Sequence, residues 1–403
     1  MKTNIPCVCL TITSVLFGCE SAESSGAVVT DSAGVVIVQN PEMDLTQWQL
    51  SQQPLVAIGS ETRGDEYQMF RVQGAVRMSD GRIAVANSGT SEVRIYDDTG
   101  EFITSSGSDG DGPGEFRAIT SLQRLPGDTL FVYDRSLARY SILDPNGGFV
   151  RSSSMVGGDG GPGSPMALGL FGNGYVPAQQ TRGGIFAFVA GEAEDPNTEM
   201  SVEFLLLRGP DSGATTIGTY PAQQTRITMG EGSISVIRNP LAPETYAVAD
   251  RNALFVGHSG AYEIHRYDET GAIDRIVRHV VHANPITDAE IDALIERGKE
   301  SAPNADAARG IEASYRAMEY PETFPLFDDL LIDQVGWLWV RDYLRPTDEI
   351  GRWRIYSPDG VMTAQVFAPR DFTLMDAGRD YVLGRLRDEL DLERVMLFAL
   401  TDR

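Results

Sequence analysis

A glycine-rich segment carries carboxylates whose spacing could suit a metal ion. The stretch SGSDGDGPGEF, residues 106–116, contains Asp109, Asp111 and Glu115. Carboxylate oxygens are the ligands that Ca²⁺ prefers, and glycine lets a backbone approach a ligand closely. The spacing of a twelve-residue calcium loop is absent, however. The segment is therefore predicted to be a turn first, with calcium binding as the lesser alternative.

A second glycine-rich stretch has the glycine spacing of a nucleotide-binding pattern but not its structural context. GGDGGPG fits GxGxxG through Gly158, Gly160 and Gly163. That fingerprint needs a helix to follow it, and Pro162 and Pro165 exclude one. We therefore reject a dinucleotide site here.

Other catalytic patterns are scarce in the sequence. His279 and His282 in HVVH would form a metal pair only on a helix, whereas on a strand residues i and i+3 face opposite sides. Packing or surface roles are predicted for both. The sequence contains no HExxH, no GxSxG and no P-loop lysine, and its three cysteines, Cys7, Cys9 and Cys19, all lie near the start.

The elements that must position these side chains form a repeat. A unit starting at Phe70 matches one starting at Phe116, and each reads as alternating apolar strands, tight turns and an Asp-x-x-Gly motif. Looser copies begin at Met166, Tyr246, Leu330 and Phe372. Four strands per unit at a period of forty-odd residues are typical of propeller blades. The glycine-rich loops then join successive blades, with Phe70 and Phe116 predicted to plug between them.

The last unit indicates how the ring closes. It ends after its third strand, at Leu400, while PLVAIGSETRGDEYQMF near the N-terminus parallels the loop before Phe116. An N-terminal strand would complete this blade and remove an exposed edge. The sequence thus predicts an all-β protein, a six-bladed β-propeller of four-stranded blades closed by an N-terminal strand.

The N-terminus has the features of an export signal. MKTNIPCVCLTITSVLFGC combines a basic start with an apolar run too short to span a bilayer. Its end, LFGC, resembles the lipobox of bacterial lipoproteins, with Cys19 as the acylated residue. We therefore expect a signal peptide over residues 1–18, a flexible tether over residues 19–33 and a lipid-anchored protein in the cell envelope, on the extracytoplasmic side.

Taken with the repeat, these features resemble the six-bladed, NHL-like β-propeller lipoproteins of bacteria, over residues 34–403. The resemblance specifies a fold and leaves the function open. One segment interrupts the period: Thr287 and Glu290 have capping-box spacing, and apolar residues then recur at helical intervals. A helical insertion is predicted over about residues 285–320, between blades 4 and 5.

One set of polar residues could act together in such a fold. Each follows the second strand of a blade, which would bring all of them to the face of the glycine-rich loops, around the mouth of the central channel. They are predicted to be ligand-binding residues: Asn87, Asp134, Gln179, His258, Asp342 and Arg385. Strand ends favour polar residues in any protein, so a structural role explains part of this set.

Two functions fit this arrangement. The first is a non-catalytic binding or scaffold module that engages a small molecule or another envelope protein. The second, implied by the resemblance to six-bladed propellers, is a calcium-dependent lactonase or hydrolase, with Asn87, Asp134 and Asp342 as oxygen ligands and His258 as a base. Arg385 argues against tight cation binding, because it adds a like charge. Binding is favoured over catalysis.

The charge of the chain limits its partners. It has 57 acidic and 33 basic residues among 403, a formal net charge of −24. Such a field repels nucleic acid and anionic lipid headgroups. We expect no nucleic-acid partner, contact with the membrane through the lipid anchor only, no required cofactor and a monomer.

Overall fold

The computed structural model describes residues 26–60, 62–155, 164–183, 200–208, 213–230, 233–388 and 392–401. Strands dominate it, and their sheets are the blades of a six-bladed β-propeller. Cys19, the signal peptide and the stretch GGDGGPG lie outside the described residues. Neither helix of the described part is long and apolar enough to cross a membrane.

The N-terminal strands and the first three blades follow each other along the chain. The N-terminal strands are β1 (Val28–Ser32), β2 (Val35–Asn40), β3 (Thr46–Leu50) and β4 (Val56–Ile58). Blade 1 consists of β5 (Val72–Arg77), β6 (Ile83–Asn87), β7 (Glu92–Tyr96) and β8 (Phe102–Ser106). Blade 2 consists of β9 (Ile119–Arg124), β10 (Leu130–Asp134), β11 (Arg139–Leu143) and β12 (Phe149–Ser154). Blade 3 consists of β13 (Met166–Ala167), β14 (Val176–Gly183), β15 (Met200–Leu207) and β16 (Ala214–Pro221).

A hairpin separates blade 3 from the remaining blades. The hairpin is β17 (Thr225–Gly230) and β18 (Ser233–Arg238). Blade 4 consists of β19 (Thr245–Ala249), β20 (Ala253–His258), β21 (Glu263–Asp268) and β22 (Ile273–His279). Blade 5 consists of β23 (Phe327–Ile332), β24 (Leu338–Asp342), β25 (Ile350–Tyr356) and β26 (Met362–Pro369). Blade 6 contains β27 (Phe372–Ala377), β28 (Tyr381–Arg387) and β29 (Glu393–Thr401).

The core lies between blades, because successive side chains of a strand point to opposite faces of its sheet. Strand β6 shows this alternation. Ile83 and Val85 pack in the cluster shared with blade 6, whereas Ala84 and Ala86 pack in the cluster shared with blade 2. Each pair of neighbouring blades in the described chain shares one such cluster. Both faces of a blade are therefore apolar.

The predicted closure of the ring is confirmed. Strand β4 pairs antiparallel with β29 and becomes the fourth strand of blade 6. Val56 and Ile58 are buried in the cluster between blades 6 and 1, while Ala57 between them is exposed. The first and last segments of the chain thus share one sheet, which removes two free strand edges.

The rest of the N-terminal segment extends blades 4 and 5, which sequence reasoning did not predict. Strand β2 pairs parallel with β22, and β1 folds back on β2, so that residues 28–32 of the predicted tether form a strand. Strand β3 pairs parallel with β26. Asn40 anchors the segment between the two blades, because its side chain donates to the carbonyl of Gly360 and accepts from the backbone N–H of Met362.

The helical insertion is also confirmed. Helix α1 (Asp288–Glu300) and helix α2 (Ala305–Arg316) lie between blades 4 and 5 in the chain. Thr287 caps α1 as predicted, with its side chain accepting from the backbone N–H of Glu290. The buried Glu290 in turn accepts from the hydroxyl of Thr347, which ties α1 to blade 5.

One of the two predicted inter-blade plugs is wrong. Phe116 is fully buried between blades 1 and 2, whereas Phe70 is 56% exposed. The backbone N–H of Phe70 donates to Asn87, and that of Arg117 donates to Asp134, each across 17 residues. Phe70 is therefore the equivalent of Arg117, and the sequence alignment of the two units was shifted by one residue.

Candidate functional site

The inner strands of all six blades surround a central cavity of about 900 Å³. Its lining carries several aspartates, within the innermost strands or in the turns that follow them. They are Asp128, Asp250, Asp329, Asp333 and Asp376. A row of carboxylates in a central channel is the arrangement in which a metal or catalytic site would be sought.

Most of these carboxylates bind the protein itself. Asp250 accepts hydrogen bonds from the backbone N–H groups of Asn252 and Ala253 at 2.7 Å each. Asp333 accepts from the Val335 and Trp337 backbone and from the indole of the buried Trp339. These side chains stabilise the turns between the first and second strands of blades 4 and 5.

Asp376 is the most deeply held of the group. It accepts from the backbone N–H of Arg77 at 2.8 Å, from Gln334 Nε2 at 2.7 Å and from the Tyr381 hydroxyl at 2.9 Å. These donors come from blades 1, 5 and 6. Burial raises the pKa of Asp376 to about 6, although the donors favour its charged form. Burial likewise raises the pKa of Asp329 to about 6 against the opposing charge of Arg341.

Two of the predicted ligand-binding residues have structural contacts instead. Asn87 and Asp134 are buried at equivalent strand ends. Asp134 accepts from the backbone N–H groups of Arg117, Ala118 and Leu137, and Asn87 accepts from Phe70 at 2.7 Å. Both side chains fasten the loop that enters a blade to the second strand of that blade.

Three further predicted residues lie apart from any cavity described here. His258 contacts Thr245 Oγ1 through Nδ1 at 3.2 Å, and burial lowers its pKa. Arg385 donates to the carbonyl of Val72 at 2.9 Å, which links blade 6 to blade 1. Gln179 is half-buried in β14, opposite Met166 of β13. None of these three, nor Asn87 or Asp134, lines the central cavity or the cleft described next.

Asp342 is the predicted residue that does line a cavity. It lies in a cleft of about 340 Å³ between blades 4 and 5, which we call the inter-blade cleft. The cleft is lined by Glu42, Val280, Val281, His282, Ala283, Asn284, Phe324, Pro325, Leu326, Asp342, Tyr343, Arg345, Arg352 and Arg354. The loop after β22, the loop before β23, strands β24 and β25 and the N-terminal segment all contribute to it.

Ion pairs between distant segments define the polar wall of this cleft. Arg354 Nε donates to Asp342 Oδ1 at 2.8 Å, and Arg352 Nε donates to Asp342 Oδ2 at 2.5 Å. Glu42, from the N-terminal segment, lies 3.4 Å from Arg354 and 3.9 Å from Arg352. The Arg354 side chain is 2% exposed, whereas that of Arg352 is 35% exposed. One guanidinium is thus a buried anchor and the other faces the opening.

The side chain of His279 lies fully buried behind this wall. Its Nε2 lies 2.7 Å from Arg354 Nη1 and 3.1 Å from Glu42 Oε2. Burial lowers the pKa of His279, and the charge of Arg354 lowers it further. Arginine can only donate, whereas the Glu42 carboxylate can only accept, so the two neighbours of Nε2 favour opposite tautomers of the neutral ring.

Other lining residues of the cleft are apolar. Phe324 is buried and stacks on Tyr343 with ring centroids 5.4 Å apart. Val280 is 47% exposed, and Leu326 and Pro325 complete this side. A cleft lined both by guanidinium groups and by aromatic and aliphatic side chains is suited to a small molecule with one anionic and one apolar part.

The acidic residues for which calcium binding was an alternative have partners within the protein. Asp111 forms an ion pair with Arg117, and Glu115 accepts from the backbone N–H of Gly112 at 2.7 Å. Asn87, Asp134 and Asp342 are bonded within separate blades. Across the described ranges, no three histidine, cysteine or acidic side chains are placed to hold an ion together. His279 ends β22 and His282 lies beyond it, so these two do not form a pair.

Comparisons with known proteins support the fold. The model of the DUF5128 family, described as a 6-bladed beta-propeller, matches residues 63–143. A DUF4221 family member from Bacteroides vulgatus is 12% identical, with a TM-score of 0.50 over 89% of this chain and 99% of its own. A protein from Bacteroides fragilis described as a putative exported protein is 12% identical, with a TM-score of 0.49 over 91% of this chain and 100% of its own. A gluconolactonase from Xanthomonas campestris is 11% identical, with a TM-score of 0.42 over 88% of this chain and 100% of its own. Among curated proteins none matches the sequence.

Sequence reasoning missed most of the inter-blade cleft. Of its charged residues only Asp342 was predicted, and Glu42, Arg345, Arg352 and Arg354 were not. A signal did exist in GRWRIY, where Arg352 and Arg354 alternate with a buried residue and so share one face of β25. Two arginines on the same face of an inner strand are unusual in an apolar core.

Proposed function

We propose that the protein is a lipid-anchored, extracytoplasmic binding module that holds a small molecule in the inter-blade cleft. The observation that carries the proposal is the gathering of Arg345, Arg352 and Arg354 at one cleft of a chain with a net charge of −24. Guanidinium groups recognise carboxylates and phosphates through paired N–H donors. A ligand in this cleft would contact both these arginines and the apolar side chains around Phe324.

Of the predicted ligand-binding set, the proposal retains Asp342. Its role is to hold the guanidinium groups of Arg352 and Arg354 in place, through hydrogen bonds of 2.5 and 2.8 Å. An arginine fixed by a carboxylate on one side keeps other N–H groups for a ligand. The alternative of a metal-dependent lactonase gains no support from the donor atoms within the described ranges, so we do not pursue it.

The cellular location rests on the N-terminal sequence. LFGC, the preceding apolar run and the absence of any cysteine after Cys19 support lipidation of that residue. Cys19→Ser should release folded protein from the membrane fraction, as judged by fractionation and by the mass of the mature protein. A variant that stays in the membrane with the lipid mass of the parent would show that the lipobox interpretation is wrong.

The binding proposal is tested by a thermal-shift screen of small metabolites. A compound at one hundred times its dissociation constant stabilises a fold by about 2.7 kcal/mol, which is easily measured. Ala283 is exposed and lines the cleft, so Ala283→Trp should block the ligand without disturbing the core. Ala214→Trp, at an exposed position of blade 3, is the matched control.

The expected result is at least one compound class that stabilises the parent protein and the Ala214→Trp variant but not the Ala283→Trp variant. Stabilisation that is equal in all three proteins would place the ligand elsewhere. A complete absence of stabilising compounds across anionic, neutral and cationic sets would contradict the proposal.

A further inference from the structure

Glu42 is a second carboxylate, besides Asp342, that contacts Arg352 and Arg354, and it comes from the N-terminal segment. It lies between β2 and β3, in the segment formed by residues 41–45, which we call the crossover. Its oxygens lie near three partners: Arg354 at 3.4 Å, Arg352 at 3.9 Å and His279 Nε2 at 3.1 Å. Partial burial opposes the charged form, yet the charge of Arg354 lowers the pKa of Glu42 below its usual value. Glu42 is therefore an anion in this position.

The geometry shows that Glu42 is held loosely. Its side chain is 57% exposed, and both arginine contacts are longer than the 2.7–2.9 Å of a strong charge-assisted hydrogen bond. His279 Nε2 lies 2.7 Å from Arg354 Nη1 and 3.1 Å from Glu42, so Glu42 shares this nitrogen with a closer partner. Asp342, in contrast, makes short bonds to both arginines.

We propose that Glu42 occupies the place of the ligand's own anionic group, and that the ligand is a carboxylate with an apolar body which displaces it. This inference rests on the proposed function and names the ligand class. A free carboxylate can take the N–H groups of Arg352 and Arg354 that Glu42 contacts only at long range. Its apolar body would then lie against Phe324 and Leu326, which also line the cleft.

Displacement of Glu42 also has a consequence for the chain. The crossover connects β2 on blade 4 to β3 on blade 5, and Asn40 at its start is held by backbone groups of blade 5. Ligand binding would therefore release the crossover locally while both flanking strands stay paired. The crossover itself would thus respond to the ligand.

The experiment uses 3-phenylpropionate as the carboxylate probe and 3-phenylpropionamide as its uncharged match, with affinities measured by isothermal titration calorimetry. Glu42→Gln keeps the shape of the side chain and removes its charge. If the Glu42 carboxylate is bound to Arg352 and Arg354 in about nine-tenths of the molecules, the loss of its charge should raise the apparent affinity for 3-phenylpropionate roughly tenfold. The affinity for the amide should not change.

Glu101→Gln is the matched control, because Glu101 is likewise an exposed carboxylate paired with an arginine, Arg63, but on blade 1. It should leave both affinities at the parent values. A second measurement uses the parent protein: 3-phenylpropionate should accelerate hydrogen exchange of the crossover and slow that of residues 324–326.

The outcomes separate the two proposals. Equal affinity for acid and amide, weaker binding by Glu42→Gln, or an unchanged crossover in the exchange experiment would each overturn the displacement inference. Absence of binding of the acid by both proteins would overturn the carboxylate class. In all four cases the proposed function still stands if the metabolite screen finds a compound whose effect is lost in Ala283→Trp.

Discussion

The central cavity and the inter-blade cleft are both rich in charged side chains, but these side chains have different partners. In the cavity, Asp250 and Asp333 accept from backbone groups of their own turns, and Asp376 accepts from groups of three blades. In the cleft, Asp342 and Glu42 pair with arginine side chains. Carboxylates fastened to backbone hold the ring together, whereas side chains paired with side chains can exchange partners.

This difference shows why acidity alone is a poor guide to a site in a propeller. The cavity is larger and has more carboxylates, and it lies where a ligand would first be sought. Asp250 and Asp333 nevertheless accept hydrogen bonds within turns, and Asp376 accepts hydrogen bonds from neighbouring blades. The cleft is smaller, but it combines partly exposed guanidiniums with apolar side chains. We therefore expect changes in the cavity to alter stability and changes in the cleft to alter binding.

The largest effect is expected where the ring closes around the cavity. Ile58→Asp would place a carboxylate in the cluster between blades 6 and 1, where Ile58 is 1% exposed. We expect a loss of about 3–5 kcal/mol in the free energy of unfolding, as for an unpaired buried charge. Leu55→Asp, at a position that is 60% exposed, is the control and should cost less than about 0.5 kcal/mol. Equal stability of the two variants in urea would contradict closure by β4.

A smaller loss is expected for Asp376→Ala. The change leaves the Arg77 backbone, Gln334 and Tyr381 without their acceptor in a buried place. The free energy of unfolding should fall by about 2–4 kcal/mol, while ligand binding in the cleft is unchanged. A variant that keeps its stability but loses ligand binding would show that the central cavity, and not the inter-blade cleft, is the binding region.

The pH dependence of stability should also come from the cavity. Because the pKa of Asp376 is raised to about 6, the folded protein holds a proton that the unfolded chain loses near pH 4. This contribution is fully present below about pH 4 and is lost as the pH rises through about 6, on the order of 1–3 kcal/mol. Asp376→Asn should flatten the corresponding part of the stability profile. An unaltered profile of the variant would exclude Asp376 as its source.

The smallest effect on stability is expected in the cleft. Arg352→Gln changes a side chain that is 35% exposed, so the free energy of unfolding should change by less than about 1 kcal/mol. Ligand affinity should nevertheless fall about tenfold or more, because a charge-assisted contact is lost. Arg63→Gln, in an exposed pair on blade 1, is the control. Loss of stability without loss of affinity would make Arg352 a purely structural residue.

The sequence was sufficient for features that depend on neighbours along the chain. The repeat of alternating apolar strands and tight turns predicted four-stranded blades, and the three-stranded last unit predicted the pairing of β4 with β29. Thr287 and Glu290 predicted the start of α1. The misplacement of Phe70 came from aligning two units by residue type, since a shift of one residue reverses which side chains are buried.

The inter-blade cleft was decided by the tertiary structure. Glu42, His279 and Arg354 are far apart in the chain, and they meet because β2 pairs with β22 at the edge of blade 4. Local pattern could show that β2 is a strand, but an outer strand can pair with any free edge, and here the Asn40 side chain is hydrogen-bonded to the backbone of Gly360 and Met362 of blade 5. The repeat and its closure were thus determined by the sequence alone. The contacts that turn a gap between two blades into a charged cleft required the folded ring, because they join segments that have no periodic relation.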